Sequence, residues 1–166
     1  VTRYRGPELL EPTHHLADFE SGDSTLDEWL RRRAVRNQHQ GSSRTWVACE
    51  SRRVVAFYAS STAVLVRADA SGRTARNQPD PIPAMLLGRL AVDHRHQGLG
   101  LAAALLKHFL QKSLEVAEIT GLRLVLVHAV DDRAAAFYRR YGFETSPTDE
   151  LSLLMHVQDI RTGPAT

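Results

Sequence analysis

The sequence predicts an α+β fold of α/β type, a single domain with a mixed central β-sheet flanked by helices. Three observations lead there. Strand-like runs alternate with segments whose apolar residues return at helical spacing. Two of the runs, "IPAMLLGRLAV" at 82–92 and "LRLVLVHA" at 122–129, are almost continuously apolar, as strands covered on both faces are. The length, 166 residues, suits one core and is short for two. Hydrophobic residues at 43% and charged residues at 24% exclude a disordered chain, and no apolar run reaches the roughly 18 residues of a membrane helix.

Taken in order, "VTRYRGPELL" has no apolar core of signal-peptide length, so the cytoplasm is the expected compartment. A helix is expected over residues 25–38, with Ser24 as cap, Asp27 and Glu28 in its positive first turn and Gly41 after its end. Leu26, Trp29, Leu30 and Val35 make its core side, and Arg32, Arg33 and Arg36 project elsewhere. "SRTWVACE" and "RVVAFYASSTAVLV", separated by a polar turn, read as an antiparallel hairpin. Residues 67–81 lose the apolar period and read as a long polar loop. After the strand at 82–92 a helix runs to about Ile119 and Gly121 stops it; the strand at 122–129 follows. "DDRAAAFYRRY" is a short helix closed by Gly142, "ELSLLMHV" a final strand, and residues 160–166 a flexible tail.

The stretch "VDHRHQGLGLAAALLKHFL" puts two glycines where that long helix begins. They could serve a turn, or they could let the backbone approach an anion at the helix's unpaired N–H groups. The Walker A lysine is absent, as is the third glycine of a dinucleotide fingerprint. Between residues 31 and 53, seven arginines face Glu50 alone, which suits either a polyanionic partner or a solvated surface. Cys49, the one cysteine, sits in an apolar run and is expected to be packed and inert. His94 with His96, and His14 with His15, lack ligand-spaced companions, so no metal site is expected.

"RLAVDHRHQGLGLAAALL", followed after about thirty residues by "VHAVDDRAAAFYRRYGF", closely resembles the GNAT family of acetyl-CoA-dependent N-acyltransferases. The resemblance covers about residues 85–145. It aligns Gln97, Gly100 and Ala102 with the family's acyl-CoA loop, with Gly98, Leu99 and Leu101 inside it; Arg95, Gly98 and Gly100 fit an alternative register. It implies that the N–H groups of residues 97–102 hold the pyrophosphate and that Leu90, Ala91 and Val92 pair with the pantetheine arm. In the second motif Asp131, Ala134 and Phe137 take cofactor-binding places, Asp131 standing where the family usually has Asn. Tyr138 is then the candidate acid, since a phenol of pKa about 10 is protonated at neutral pH and can serve a departing thiolate.

No carboxylate stands on the strand before the loop, where Arg89 is the one charge. An α-amine, of pKa about 7.7 to 8.0, needs less help losing its proton than a lysine does, which leans the acceptor towards an α-amine. With "STLDEWLRRRAVRNQHQGSSRTWVA", "LLGRLAVD", "VHAVDDRAAAFYRRYGF" and the pair Ser146 and Pro147, the chain is also similar, over about residues 16–157, to the GNAT-fold toxins of bacterial toxin–antitoxin modules. That similarity implies acetylation of aminoacyl-tRNA and a block of translation. It further implies tRNA contacts by Arg32, Arg33, Arg36, Arg139 and Arg140, a ribbon-helix-helix antitoxin and a homodimer. Acetylation of a small amine or a protein N-terminus is the alternative.

Overall fold

The apolar runs form strands and the capped, amphipathic segments form helices in the computed structural model, which describes residues 3–160. Among the described residues the strands are β1 (Arg5–Leu9), β2 (Arg44–Glu50), β3 (Arg53–Leu65), β4 (Ile82–Val92), β5 (Leu124–His128), β6 (Glu144–Thr145) and β7 (Ser152–His156). They form one sheet in the order β1-β2-β3-β4-β5-β7-β6. β4 and β5 run parallel, while β1 with β2, β2 with β3, β5 with β7 and β6 with β7 are antiparallel, so the sheet is mixed as expected. The helices are α1 (Ser24–Arg32), α2 (Ala34–His39), α3 (Gly72–Ala75), α4 (Leu101–Ala117) and α5 (Asp132–Arg140). The chain gathers into two compact units, residues 1–61 with 88–109, and residues 62–87 with 110–166.

In the first unit α1 and α2 cover β1 to β3. Leu26, Trp29, Leu30 and Ala34 join Phe19, Val47, Val54 and Phe57 in one buried cluster. Trp29 stacks on Phe57 at 6.1 Å, and Phe19 meets the same ring edge-on at 5.5 Å. The single helix expected over residues 25–38 is broken. Arg33, at φ −122° and ψ −25°, ends α1 and begins α2. Tertiary demands compete with helix continuity there: α1 buries Leu26, Trp29 and Leu30, while Gln38 in α2 donates to Leu10 O (2.8 Å) and accepts from Thr45 N–H (2.9 Å). The cap is also one residue earlier than expected, because Asp23 rather than Ser24 accepts from the Thr25 and Leu26 N–H groups. β1 is absent from the sequence reading because Gly6 and Pro7 interrupt its alternation. Pro7 is tolerated because β1 is an edge strand, paired with β2 through an irregular register.

In the second unit Ile82, Ala84, Leu124 and Ala70 form the cluster beneath β4 and β5. The segment 67–81 is more ordered than a plain loop. Arg67–Asp69 forms a 3-10 turn and α3 follows, capped by Ser71 Oγ, which accepts from Thr74 N–H at 3.2 Å. Thr74 is fully buried and donates to Glu144, a contact that sequence periodicity cannot see. β6 is two residues long and carries no periodic signal. Apart from Ile160 itself, the tail expected at 160–166 lies outside the described residues. No helix among them is long and apolar enough to cross a membrane.

Candidate active site

The β4 to α4 junction is built by Asp93. Its carboxylate is almost wholly buried, and it accepts from the Arg95 side chain through both oxygens (3.0 Å each) and from the backbone N–H groups of Glu20 (3.0 Å) and Arg95 (2.9 Å). Burial alone would raise its pKa. The hydrogen bonds outweigh that and hold it at about 2. Arg95 also donates to Asp18 O, so its guanidinium braces the loop. Nearby, Tyr4 O–H and His96 Nδ1 are 2.8 Å apart, and Gln97 donates its side-chain amide to Val92 O (3.0 Å) and Ser21 O (3.1 Å). These anchors surround a stretch whose backbone is free. In the sequence Asp93 is marked only as an acidic residue directly before a tight turn.

Gly98 and Gly100 have φ of +78° and +84°, the left-handed region that glycine tolerates. A Cβ built at either position meets no protein atom within 4 Å, so neither glycine is there to avoid its own protein. Open space faces them. The α4 ladder begins with Ala104 N–H donating to Gly100 O at 3.0 Å, and the N–H groups of residues 98–103 precede it without a backbone acceptor among the described residues. Of the remaining loop residues Leu99 is exposed, whereas Leu101 and Ala91 are buried and Ala102 half-buried. Leu90 and Val92 are half-buried at the end of β4, whose register with β5 stops at Leu87. The Arg89 guanidinium lies 4.2 Å from the Trp29 ring centroid, and burial lowers its pKa.

The second group of predicted site residues shares α5. Asp131 caps it, its side chain accepting from Ala134 N–H at 2.8 Å, and Asn at that place would cap equally well. Ala134 and Phe137 are half-buried, and the Phe137 ring contacts those of Tyr138 (5.3 Å) and Tyr141 (5.1 Å). Tyr138 is 4% exposed and packs edge-on to Phe143. Burial pushes its phenol pKa up, so the proton is held throughout the neutral range. Its hydroxyl has no hydrogen-bond partner among the described residues. The enclosed oxygens lacking one there are Ser43 Oγ and Thr45 Oγ1, which leaves the Tyr138 oxygen at an accessible edge.

The structure sorts the basic run. Arg31 donates to Phe19 O at 2.6 Å, Arg52 pairs with Glu11 and Arg53 with Asp18. Arg32, Arg33, Arg36 and Arg44 are exposed and unpaired among the described residues, as are Arg139 and Arg140 on α5. Cys49 is fully buried and its thiol pKa is pushed up to about 11 by burial, in keeping with a packed residue. Glu8, His14 and Cys49 bring ligand-type atoms within 4.8 Å of one another. His14 Nδ1 accepts the Glu11 N–H, so Nε2 carries the proton and donates to Glu8 at 3.0 Å. That tautomer ties Glu11, His14 and Glu8 into a hydrogen-bond chain.

Left-handed glycines and a row of unpaired N–H groups before a long helix are an arrangement suited to an anion such as a phosphate group. Residues 41–145 match the family described as acetyltransferase (GNAT) domain. A tRNA-acetylating toxin of Mycobacterium tuberculosis is 45% identical over 161 residues, covering 97% of each chain. The probable toxin TacT of Sinorhizobium fredii is 28% identical over 93% of this chain and 92% of its own. Among solved structures, AtaT complexed with acetyl-methionyl-tRNAfMet matches with a TM-score of 0.86 at 27% identity, covering 92% of this chain and 95% of that one. An AtaT variant bound to the C-terminus of the antitoxin AtaR and acetyl-CoA matches at 0.80 and 25% identity, over 92% and 93%. The family match spans most of the sequence and a relative follows it from end to end: the chain belongs to the GNAT acetyltransferases.

Proposed function

We propose that the chain is an acetyl-CoA-dependent N-acetyltransferase toxin that acetylates the α-amino group of aminoacyl-tRNA and so blocks translation. The observation that carries this reading is the 45% identity to a tRNA-acetylating toxin across 97% of both chains. The free N–H groups of residues 98–102, at the positive end of α4, hold the pyrophosphate of acetyl-CoA. Leu90, Ala91 and Val92 offer their main chain to the pantetheine arm, and the Val92 N–H polarises the thioester carbonyl as negative charge builds on its oxygen. Gln97 acts here as a brace that keeps Val92 and the loop in register. Asp131, Ala134 and Phe137 shape the cofactor side of α5.

The acceptor amine attacks as the neutral base, the thiolate leaves with a proton from the Tyr138 hydroxyl, and the proton shed by the acylated nitrogen returns through water to the Tyr138 phenolate. β4 offers no carboxylate as base, and its one charged side chain, Arg89, is occupied on Trp29. The α-amino group, already substantially neutral near physiological pH, suits that site better than a lysine side chain. Arg32, Arg33 and Arg36, with Arg139 and Arg140, supply unpaired cations for tRNA phosphates. A ribbon-helix-helix antitoxin and a second copy of the chain are the expected partners, and the cytoplasm, where charged tRNA is found, the compartment.

The test is incubation with a full set of charged tRNAs and labelled acetyl-CoA, then nuclease digestion and mass spectrometry of the aminoacyl adenosine. Label on the α-amine of at least one amino acid is expected. No label on any, with brisk transfer to a small amine or a peptide N-terminus, would replace this reading with the alternative.

A further inference from the structure

A cavity of about 290 Å³ in the second unit is lined entirely by polar side chains, among them Arg73, Arg76, Gln78, Arg123, His156 and Asp159. Its three arginines form no ion pair among the described residues, so like charges are held together in one recess with Asp159 as the single opposing charge. All three are exposed, and three cations around one recess make it a favourable place for an anion.

The recess is built. Arg123 directly precedes β5; its Nε donates to Gln78 Oε1 at 2.8 Å and its Nη2 to Asn77 O at 3.4 Å, which fixes the plane of the guanidinium and leaves Nη1 over. Its backbone is pinned on both sides, its N–H donating to Pro83 O (3.0 Å) and its carbonyl accepting from Val157 N–H (2.9 Å). Arg73 lies in α3 and Arg76 directly after its end, both lining the recess, and buried Thr74 anchors the turn by donating to Glu144. Gln78 is itself buried. The ligand class follows from the lining. Forked guanidinium donors, that of Arg123 held in place, match phosphate oxygens, and the lining has no aliphatic side chain to hold an acyl chain.

We infer that this recess, formed by Arg73, Arg76 and Arg123, seats one backbone phosphate of the tRNA, a docking point apart from the arginines of α1, α2 and α5. The inference rests on the proposed tRNA substrate. A phosphodiester whose nucleoside is carried by the rest of the polymer needs no base pocket, which is what this cavity provides.

The test uses uncharged tRNA, so that binding is read independently of acetyl transfer. In filter binding with the full chain, Arg73→Ala with Arg76→Ala raises the Kd for tRNA about five- to tenfold. It also lowers the slope of log affinity against log salt by about one, the value for one phosphate contact. Acetyl-CoA affinity stays unchanged, which also verifies the fold, and Arg76→Ala alone, beyond the end of α3, serves should the double variant unfold. Unchanged tRNA affinity and salt slope in a folded variant overturn the inference. Calorimetry with inorganic phosphate separates the sources: phosphate binding lost in the variant while tRNA binding is intact assigns the recess to a free ion and overturns the tRNA seat. Arginine-dependent binding of polyglutamate without the same dependence for tRNA assigns it to an acidic protein segment and equally overturns it. Pocket-dependent tRNA binding by a chain that acetylates no charged tRNA would sink the proposed reaction and leave this seat standing.

Discussion

Replacing Gly100 tests the cradle most directly, because the structure separates two effects that usually mix. At φ +84°, any residue with a Cβ carries a conformational cost of about 1–2 kcal/mol. No protein atom lies within 4 Å of a Cβ at this position, so packing adds nothing to that cost. If the strain is relieved, the loop turns and the N–H groups of residues 98–102 lose their common aim. If it is tolerated, the methyl group stands in the open space where the pyrophosphate is expected. Either way Gly100→Ala should weaken acetyl-CoA binding by about five- to thirtyfold, the equivalent of 1–2 kcal/mol, and the β-branched Gly100→Val should weaken it by at least tenfold. Gly121→Ala is the control, since that glycine follows α4, lacks a left-handed φ and also faces open space. Isothermal titration of acetyl-CoA into each variant reads the result, with thermal melting to establish folding. A folded Gly100→Val that binds acetyl-CoA with unchanged affinity would refute the cradle, because steric and conformational arguments both require a loss.

Tyr138→Phe should keep the fold and acetyl-CoA binding, since the hydroxyl has no partner to lose among the described residues, while single-turnover transfer falls about 10²- to 10⁴-fold; a near-normal rate would mean that water protonates the thiolate. Asp93→Asn should remove the electrostatic hold on Arg95 and cost roughly 2 kcal/mol at pH 7, measured by urea unfolding. Because the carboxylate's pKa is about 2 in the folded chain against 3.8 ordinarily, that stability is fully present above the ordinary value and drains away as pH falls between them. The wild type should therefore lose stability over that interval more steeply than the variant, and parallel pH profiles would contradict the assignment. Arg32→Ala, Arg33→Ala and Arg36→Ala together should cripple acetylation of aminoacyl-tRNA and flatten its salt dependence while sparing transfer to a free amino-acid ester; equal loss on both substrates would show a structural role.

Local chemistry is what a linear sequence displays, and here it displayed a good deal. The apolar run of β4, the glycines before α4 and the Gly142 that follows α5 are each read from a few consecutive residues, because strand period, helix period and left-handed backbone are short-range properties. The family resemblance rests on the same stretches. Folding decided whatever needed two distant segments to meet. Asp93 became the keystone of the loop only when residues 18 and 20 came beside it. The break at Arg33 answers to Leu10 and Thr45, partners of Gln38 that no helical period encodes. Seven arginines that look alike in one run were divided into braces and free cations by the position of Phe19, Glu11 and Asp18. The recess of Arg73, Arg76 and Arg123 joins a polar connection to the start of a strand far along the chain. A charge's role depends on what neutralises it, and its neutralising partner is chosen by three-dimensional proximity, which residue order leaves open until the sheet has formed.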